Sequence, residues 1–441
     1  MRGFVGFVWA AIFTLPFVAT AGDDPGPTPV PEAHEQVYGD TPPEFAPYGN
    51  FVEPYKRFFL EPVPYRGYGR EIPEAEGVDG VKIGFLGPIE PTVSVATGGA
   101  SHEEPLGRKM LEGSQLAVEH ANAAGGFRGN TPYELVVRND NGLWGASGNE
   151  IVDLAYKEKV WAILGTIDGA NSHIAIRVAL KAEVPMMNTG DTDPTFIETS
   201  IPWVCRNITD DRQMSYALAD YVFGTLGVTR VAALRANNRY GRVSIDEFRD
   251  AATRLGHPFV AELNYQLGDT DFTPHLEAIK ALAPEAVITY GDAIESAMIL
   301  EQMRAMGMRQ WFIGSDRMVT SGMLEVVGAG AAKVVAGYPF DPTSDDPKYL
   351  RFVEQFTRRY GEPPEAYAAH AYDGMTQLIE AIERGGLNRA LILDELRAVK
   401  TWHGVTGEKT YDAICSNRSP AVLALVEDGR WVFVTPGDVA K

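Results

Sequence analysis

Cysteine is nearly absent from this chain: Cys205 and Cys415 are the two in 441 residues. That excludes a disulfide scaffold and a four-cysteine zinc site, and leaves room for one bridge at most. Histidine is also scarce, with eight residues scattered without the spacing of metal ligands. Positive charge is in deficit. Fifty-nine acidic residues against 39 basic ones leave a formal charge of −20, which repels phosphate backbones and anionic lipid, so no nucleic-acid partner is expected. Long apolar runs are missing after the first twenty residues, and nothing later reaches the roughly 18 residues needed to span a bilayer.

Catalytic signatures are missing too. There is no G-x-S-x-G; Gly145-Ala146-Ser147-Gly148 lacks the spacing. No H-E-x-x-H occurs, and His102-Glu103-Glu104 reads as a solvated polar loop. Gly328-Ala329-Gly330 lacks the third glycine and the preceding strand of a dinucleotide loop. No enzyme activity, no cofactor and no metal site are expected.

What is present begins at Met1. Arg2, an apolar run from Phe4 to Val18 and the tripeptide Ala19-Thr20-Ala21 read as a secretory signal over residues 1–21. No cysteine stands at the cleavage point, so no lipid anchor is expected. The expected destination is periplasmic or extracellular, where Cys205 and Cys415 are free to pair; the sequence does not say whether they are near each other. Residues 22–78 hold 11 of the 29 prolines, a density that forbids long helices and central strands. Within them, residues 22–43 read as a spacer. Residues 45–78 are rich in aromatics, which tails rarely are, and read as an irregular arm on the folded body or as a segment that docks a partner.

From Val81 the pattern changes. Short apolar strands (81–87, 133–138, 160–164) alternate with helical spacing (106–123, 151–157, 172–182), and the alternation resumes from Arg230 to Gly314 after a loop-rich stretch around 188–212. Late helices over 349–360, 365–384 and 387–399 and two final strand-like pieces complete the chain. Such alternation builds parallel sheets. The expected fold class is α/β, as two doubly wound parallel-sheet lobes. Ligands of such sheets sit at the carboxyl ends of strands, and two facing lobes enclose a cleft.

The candidate residues are therefore those just after strands. Gly165 to Ser172 opens a helix with small residues, among them Gly169, Ala170 and Asn171, and suits a carboxylate on free backbone amides. Asn188 to Pro194, with Gly190 and Thr192, repeats that chemistry. Tyr240 opens a helix in the second lobe and is placed to stack on a ligand. Asp292 and Asp316 each follow a strand and suit an ammonium group. Each of these also reads as an ordinary turn or helix cap, Asp292 above all.

Several stretches resemble the type I periplasmic binding proteins, the leucine/isoleucine/valine-binding group. They are Val81 to Pro88 followed by Gly113-Ser114-Gln115-Leu116-Ala117-Val118-Glu119 and Asn122 to Gly126, then Arg239-Tyr240-Gly241, Ala305-Met306-Gly307 with Phe312-Ile313-Gly314, and Ala366-Tyr367-Ala368 with Ala371-Tyr372-Asp373. The resemblance runs from about 80 to 435. It implies a Venus-flytrap receptor for an ABC importer, non-catalytic and working as a single copy, with an amino-acid or amide-like ligand and a transporter permease as partners. It implies a three-crossing hinge near Asn207, Gly337 and Gly404, which sets lobe 1 at 79–207 and 337–404 and lobe 2 at 208–336 and 405–441. By the same resemblance Gly169, Ala170 and Asn171 lie in the first carboxylate-binding loop and Gly190 and Thr192 in the second. Tyr240 is the second-lobe aromatic, Asp316 takes the ligand's ammonium, and Tyr367 is an aromatic wall. The family often has serine where Gly169 stands and tyrosine near Ala293. The 90–107 loop is longer than usual and the 22–78 arm is extra. These departures leave the ligand open among amino acids, amines, amides and polyamines. The alternative reading is a periplasmic sensor, or an accessory protein of an exported enzyme, that docks through the arm.

Overall fold

Val81–Gly87 (β1) and Tyr133–Asn139 (β2) pair in parallel over seven residues, and a computed structural model describing residues 62–90 and 106–436 shows what they seed. The first sheet adds Ala162–Leu164 (β3), Met186–Asn188 (β4) and Val204–Arg206 (β5) in the order β2-β1-β3-β4-β5, every pair parallel. β1 and β3 are buried almost throughout, as strands covered by helices on both faces must be. Val231–Ala236 (β6), Ala261–Tyr265 (β7), Ala286–Ile288 (β8), Trp311–Gly314 (β9) and Val334–Tyr338 (β10) form the second sheet as β7-β6-β8-β9-β10, the same winding again. Thr401–Gly404 (β11) and Gly407–Thr410 (β12) form a separate hairpin. Val422–Glu427 (β13) and Arg430–Val434 (β14) then extend the second sheet antiparallel beside β10.

The two doubly wound lobes are those expected. Helix Ala366–Gly385 returns from the second lobe to pack on helix Leu106–Ala123 of the first. Helix ends follow local chemistry. Asp346 caps helix Pro347–Tyr360 by accepting the Lys348 amide, a proline fills its first turn, and Gly361 in the left-handed region ends it.

Some elements differ from the sequence reading. The helix expected over 151–157 starts at Trp144 and continues as a π-helical turn, Asp153–Glu158. β5 lies in the stretch read as loop, and helix Asp211–Ala219 begins at its end, where no element was expected. β5 has three residues and ends on a charged one, so it carries no apolar run. The helix opens on polar residues, and its signal is the capping box of Asp210 with Gln213.

The connections between lobes are knitted together. Thr209 donates to the Pro339 carbonyl (3.0 Å), Arg206 N to the Cys415 carbonyl (2.9 Å) and Asn417 N to the Arg206 carbonyl (2.9 Å). Buried Arg206 pairs with Asp210 at 2.6 Å and with the Ser416 hydroxyl at 2.8 Å. Cys205 and Cys415 form a disulfide across a separation of 210 residues.

Residues 62–78 run along the first lobe as an irregular strap. The Tyr65 ring meets Trp203 edge-on at 4.8 Å and its hydroxyl donates to Glu183 at 2.7 Å. Arg70 makes a two-bond pair with Asp394, and Asn388 donates to the carbonyls of Gly69 and Ile72. The signal segment, the spacer, the arm before residue 62 and most of the 90–107 loop, His102 included, lie outside the described residues.

Candidate functional site

Each sheet reverses its strand order beside its first strand, and the loops that leave the carboxyl ends of the strands face the other lobe. Gly165 follows β3 with φ +148°, and a Cβ there would lie 2.2 Å from the Leu86 carbonyl, so glycine is required. Helix Gly169–Ala182 then starts without a side-chain cap, because Asp168, at the capping position, turns its carboxylate to Arg317 instead. The backbone amides of Gly169, Ala170 and Asn171 thus form an uncapped, positively polarised helix end. The Asn171 side chain is not available to a ligand. It turns inward and donates to Asp140 Oδ2 at 2.9 Å.

The loop after β4 differs from expectation. Its amides were expected to face a ligand, but Asn188 Oδ1 accepts those of Gly190 (3.2 Å) and Asp191 (2.9 Å), and Asp191 Oδ1 accepts that of Asp193 (3.0 Å). What this loop leaves uncommitted are the buried hydroxyls of Thr189 and Thr192, which make no hydrogen bond of proper geometry, and one oxygen of Asp191. Burial, then the charge of Asp193, pushes the Asp191 carboxyl well up. Gly190 is buried in the same loop.

From the second lobe, Tyr240 stands in the first turn of helix Arg239–Arg254, whose cap is Asn238. Its hydroxyl approaches Asp316 Oδ1 at 3.3 Å. The other oxygen of Asp316 accepts the Tyr367 hydroxyl at 2.6 Å, from the first turn of helix Ala366–Gly385. All three residues are buried. Burial raises the Asp316 pKa, while Tyr367, Arg317 and Tyr240 oppose the rise. Asp292 follows β8 and heads helix Ala293–Ala305, but it holds Arg317 Nη1 at 3.0 Å.

Two arginines that the sequence reading did not single out bridge the lobes. The Arg317 guanidinium lies 3.6 Å over the Tyr240 ring and reaches Asp168 of the first lobe at 2.9 Å. Arg239 Nε meets Asp193 Oδ2 at 2.9 Å, and its Nη2 reaches Thr195 (2.8 Å) and His173 (2.9 Å). Both arginines sit next to residues that were singled out, Asp316 and Tyr240, but their partners lie in the other lobe and no local pattern names them. Gly169 makes room for the second clamp: a Cβ there would lie 2.3 Å from Asp193 Oδ2 and 2.8 Å from Arg239 Nε.

Asp211 was missed as well. Its amide donates to the Thr192 carbonyl at 2.9 Å, and its carboxylate is influenced by both Asp316 and Thr192. Asp211 thus stands beside Thr192 of the first lobe and feels the charge of Asp316 from the second. A wide depression of about 520 Å³ elsewhere on the second lobe, lined by Val228, Glu285, Trp311 and Lys333 among others, lies at the amino ends of the strands, away from these groups. Among the described residues, no group of three or more His, Cys, Asp or Glu is arranged to hold a metal ion.

The family model described as "Periplasmic binding protein" matches residues 80–426. A Leu/Ile/Val-binding protein homolog 2 of Brucella abortus is 24% identical over 309 residues, 70% of this chain and 82% of that protein. An amino acid binding protein of Pseudomonas aeruginosa is 26% identical over 313 residues, with the same shares of the two chains. Among solved structures, the leucine binding protein LivK of Thermotoga maritima superposes with a TM-score of 0.72 at 25% identity, over 81% of this chain and 99% of that one.

Proposed function

This chain belongs to the periplasmic binding protein family, and from that premise we propose that it is an exported receptor that captures an amino acid or a related polar amine or amide and hands it to an ABC importer. Its class is that of substrate-binding, non-catalytic proteins. The observation that carries the finer reading is the meeting of Tyr367 and Asp316 across the cleft at 2.6 Å, beside an uncapped helix end. In this reading the amides of Gly169, Ala170 and Asn171 receive the ligand's carboxylate or carbonyl. Thr192 adds a hydroxyl. Asp316 accepts the ammonium, Tyr240 and Tyr367 wall it in, Gly190 shapes the loop, and Asp292 acts by fixing Arg317. The ligand binds the closed form better than the open one and so shifts the population toward it, which the importer reads.

We take lobe 1 as 79–207 with 339–416, and lobe 2 as 208–338 with the chain's end, because β10 runs to Tyr338 within the second sheet. The pairing of Ser416 with Arg206 and of Val422 with Tyr338 favours a third passage between 417 and 421, later than Gly404. Export rests on the signal segment at 1–21. The alternative of a sensor or accessory protein docking through the arm has no observation in its favour, since the described part of the arm is bound to the first lobe. The test is native mass spectrometry of the purified mature chain, followed by calorimetry with any solute found. A co-purified amino acid or amine that rebinds supports the reading. A chain that carries nothing and binds none of the common amino acids, amides and amines overturns it.

A further inference from the structure

Asp211 opens helix Asp211–Ala219 and is fully buried where the lobes meet. One carboxylate oxygen accepts the Ser244 hydroxyl at 2.6 Å, and the other has no hydrogen-bond partner. The Thr192 hydroxyl stands near enough to lower the carboxyl's pKa, yet it forms no hydrogen bond of proper geometry. A buried polar atom left unpaired is costly and calls for a partner.

The nearby charges show what that partner is. Arg317 pairs with Asp168 and Asp292 through its terminal nitrogens while its Nε has no hydrogen-bond partner among the described residues and its charge acts on both Asp211 and Asp316, and Arg239 pairs with Asp193. Asp316 accepts the hydroxyls of Tyr240 and Tyr367 and is also stabilised by the Arg317 backbone amide. Two buried acids, Asp211 and Asp316, thus act on each other, and the cation named as acting on both, Arg317, bonds to neither through its side chain. Burial, then the charge of Asp316, pushes the Asp211 carboxyl up to about 8 in the ligand-free chain. A neutral aliphatic side chain against Asp211 would leave that arrangement unrelieved. A second positive group would complete it.

We propose that Asp211 is a ligand-contacting residue and that, with Asp316, it makes a two-carboxylate recess selecting a solute with a second positively charged group, such as a basic amino acid or a diamine, over neutral aliphatic amino acids. This rests on the receptor reading above and names its ligand class. One ammonium goes to Asp316, and the second cation, an amine or guanidinium, goes to Asp211 and the Thr192 hydroxyl.

The test is calorimetry of the mature chain against arginine, ornithine, putrescine, leucine and valine at pH 7.5, with Asp211→Asn as the near-isosteric variant and circular dichroism to verify its fold. The expected result is that at least one dibasic compound binds wild type tenfold or more tightly than leucine, and that Asp211→Asn removes this preference. Leucine or valine binding as tightly as every dibasic compound overturns the inference and leaves the receptor reading standing. Preferential binding of a dibasic compound that survives in folded Asp211→Asn overturns the role of Asp211. If none of the five binds, the inference falls, while the receptor reading is decided separately by the wider panel of amino acids, amides and amines. Should the variant not fold, the wild-type ranking of the five compounds alone decides.

Discussion

Tyr367, on a helix of the first lobe, donates its hydroxyl to Asp316, which follows a strand of the second, over 2.6 Å. The two residues lie 51 positions apart in sequence, and their contact exists only while the lobes face each other. In the proposed reading it makes recognition and closure one event.

Removing Asp316 should therefore weaken binding strongly. For Asp316→Ala the expected loss is about 1.5–3 kcal/mol, the range for a hydrogen bond to a charged group, or roughly ten- to 150-fold in affinity. Tyr367→Phe keeps the ring and removes the bridge, so its loss should be smaller, about 1 kcal/mol. Calorimetry checks both. Unchanged affinity in Asp316→Ala removes this residue from the site.

Gly169→Ser should loosen the clamp between Arg239 and Asp193, because the new Cβ would occupy the place of the Asp193 carboxylate. Overpacking of this kind costs about 1–3 kcal/mol. The outcome to look for is a larger radius of gyration in solution scattering at saturating ligand. An identical scattering curve would mean that the clamp does not hold the lobes.

Asp211→Asn should stabilise the ligand-free chain at alkaline pH. An acid whose pKa is raised in the folded state favours folding at low pH, and that contribution is lost as pH climbs through the folded value, here about 8. The groups acting on it include Asp316, Ser244, Thr192 and Arg317, with burial the largest cause. At pH 9 the variant should gain about 1–3 kcal/mol over wild type, and at pH 4 almost none. Urea unfolding at the two pH values measures this. An equal gain at both would point to packing rather than ionisation.

Reducing the Cys205–Cys415 bridge should lower stability by about 3–5 kcal/mol, since it closes a long loop in the unfolded chain. The denaturation midpoint of Cys205→Ser with Cys415→Ser, compared with the oxidised wild type, reports the value. No shift would mean that the segment around Cys415 is held by Arg206 and its neighbours without the bridge.

Asn388→Ala should release the strap. It removes two hydrogen bonds to the carbonyls of Gly69 and Ile72, and also the cap that receives the amides of Ala390 and Leu391. Limited proteolysis should then cut between residues 62 and 78. A strap as resistant as in wild type shows that Tyr65, Arg70 and Glu74, which accepts the Leu387 amide at 2.9 Å, suffice.

The alternation of strands and helices was plain in the sequence because buried parallel strands read as continuous apolar runs, and β1 and β9 fell where expected. Short or polar elements such as β5 and the helix headed by Asp211 carried no such run. Tyr240, Asp316 and Tyr367 meet in the structure although they are far apart in sequence. The loop around Gly190 did not offer its amides, because Asn188, at the end of a strand, turns back on them. The pairing of Arg317 with Asp168 spans 149 residues and two lobes, and no local pattern encodes it.

Both arginine clamps are built from the chain's own atoms, so part of what holds the jaws together does not come from the solute. An unloaded receptor that spends time shut would present a transporter with the shape of a full one. Some of the importer's work would then run idle, at a rate set by how firmly Arg317 and Arg239 hold on their own.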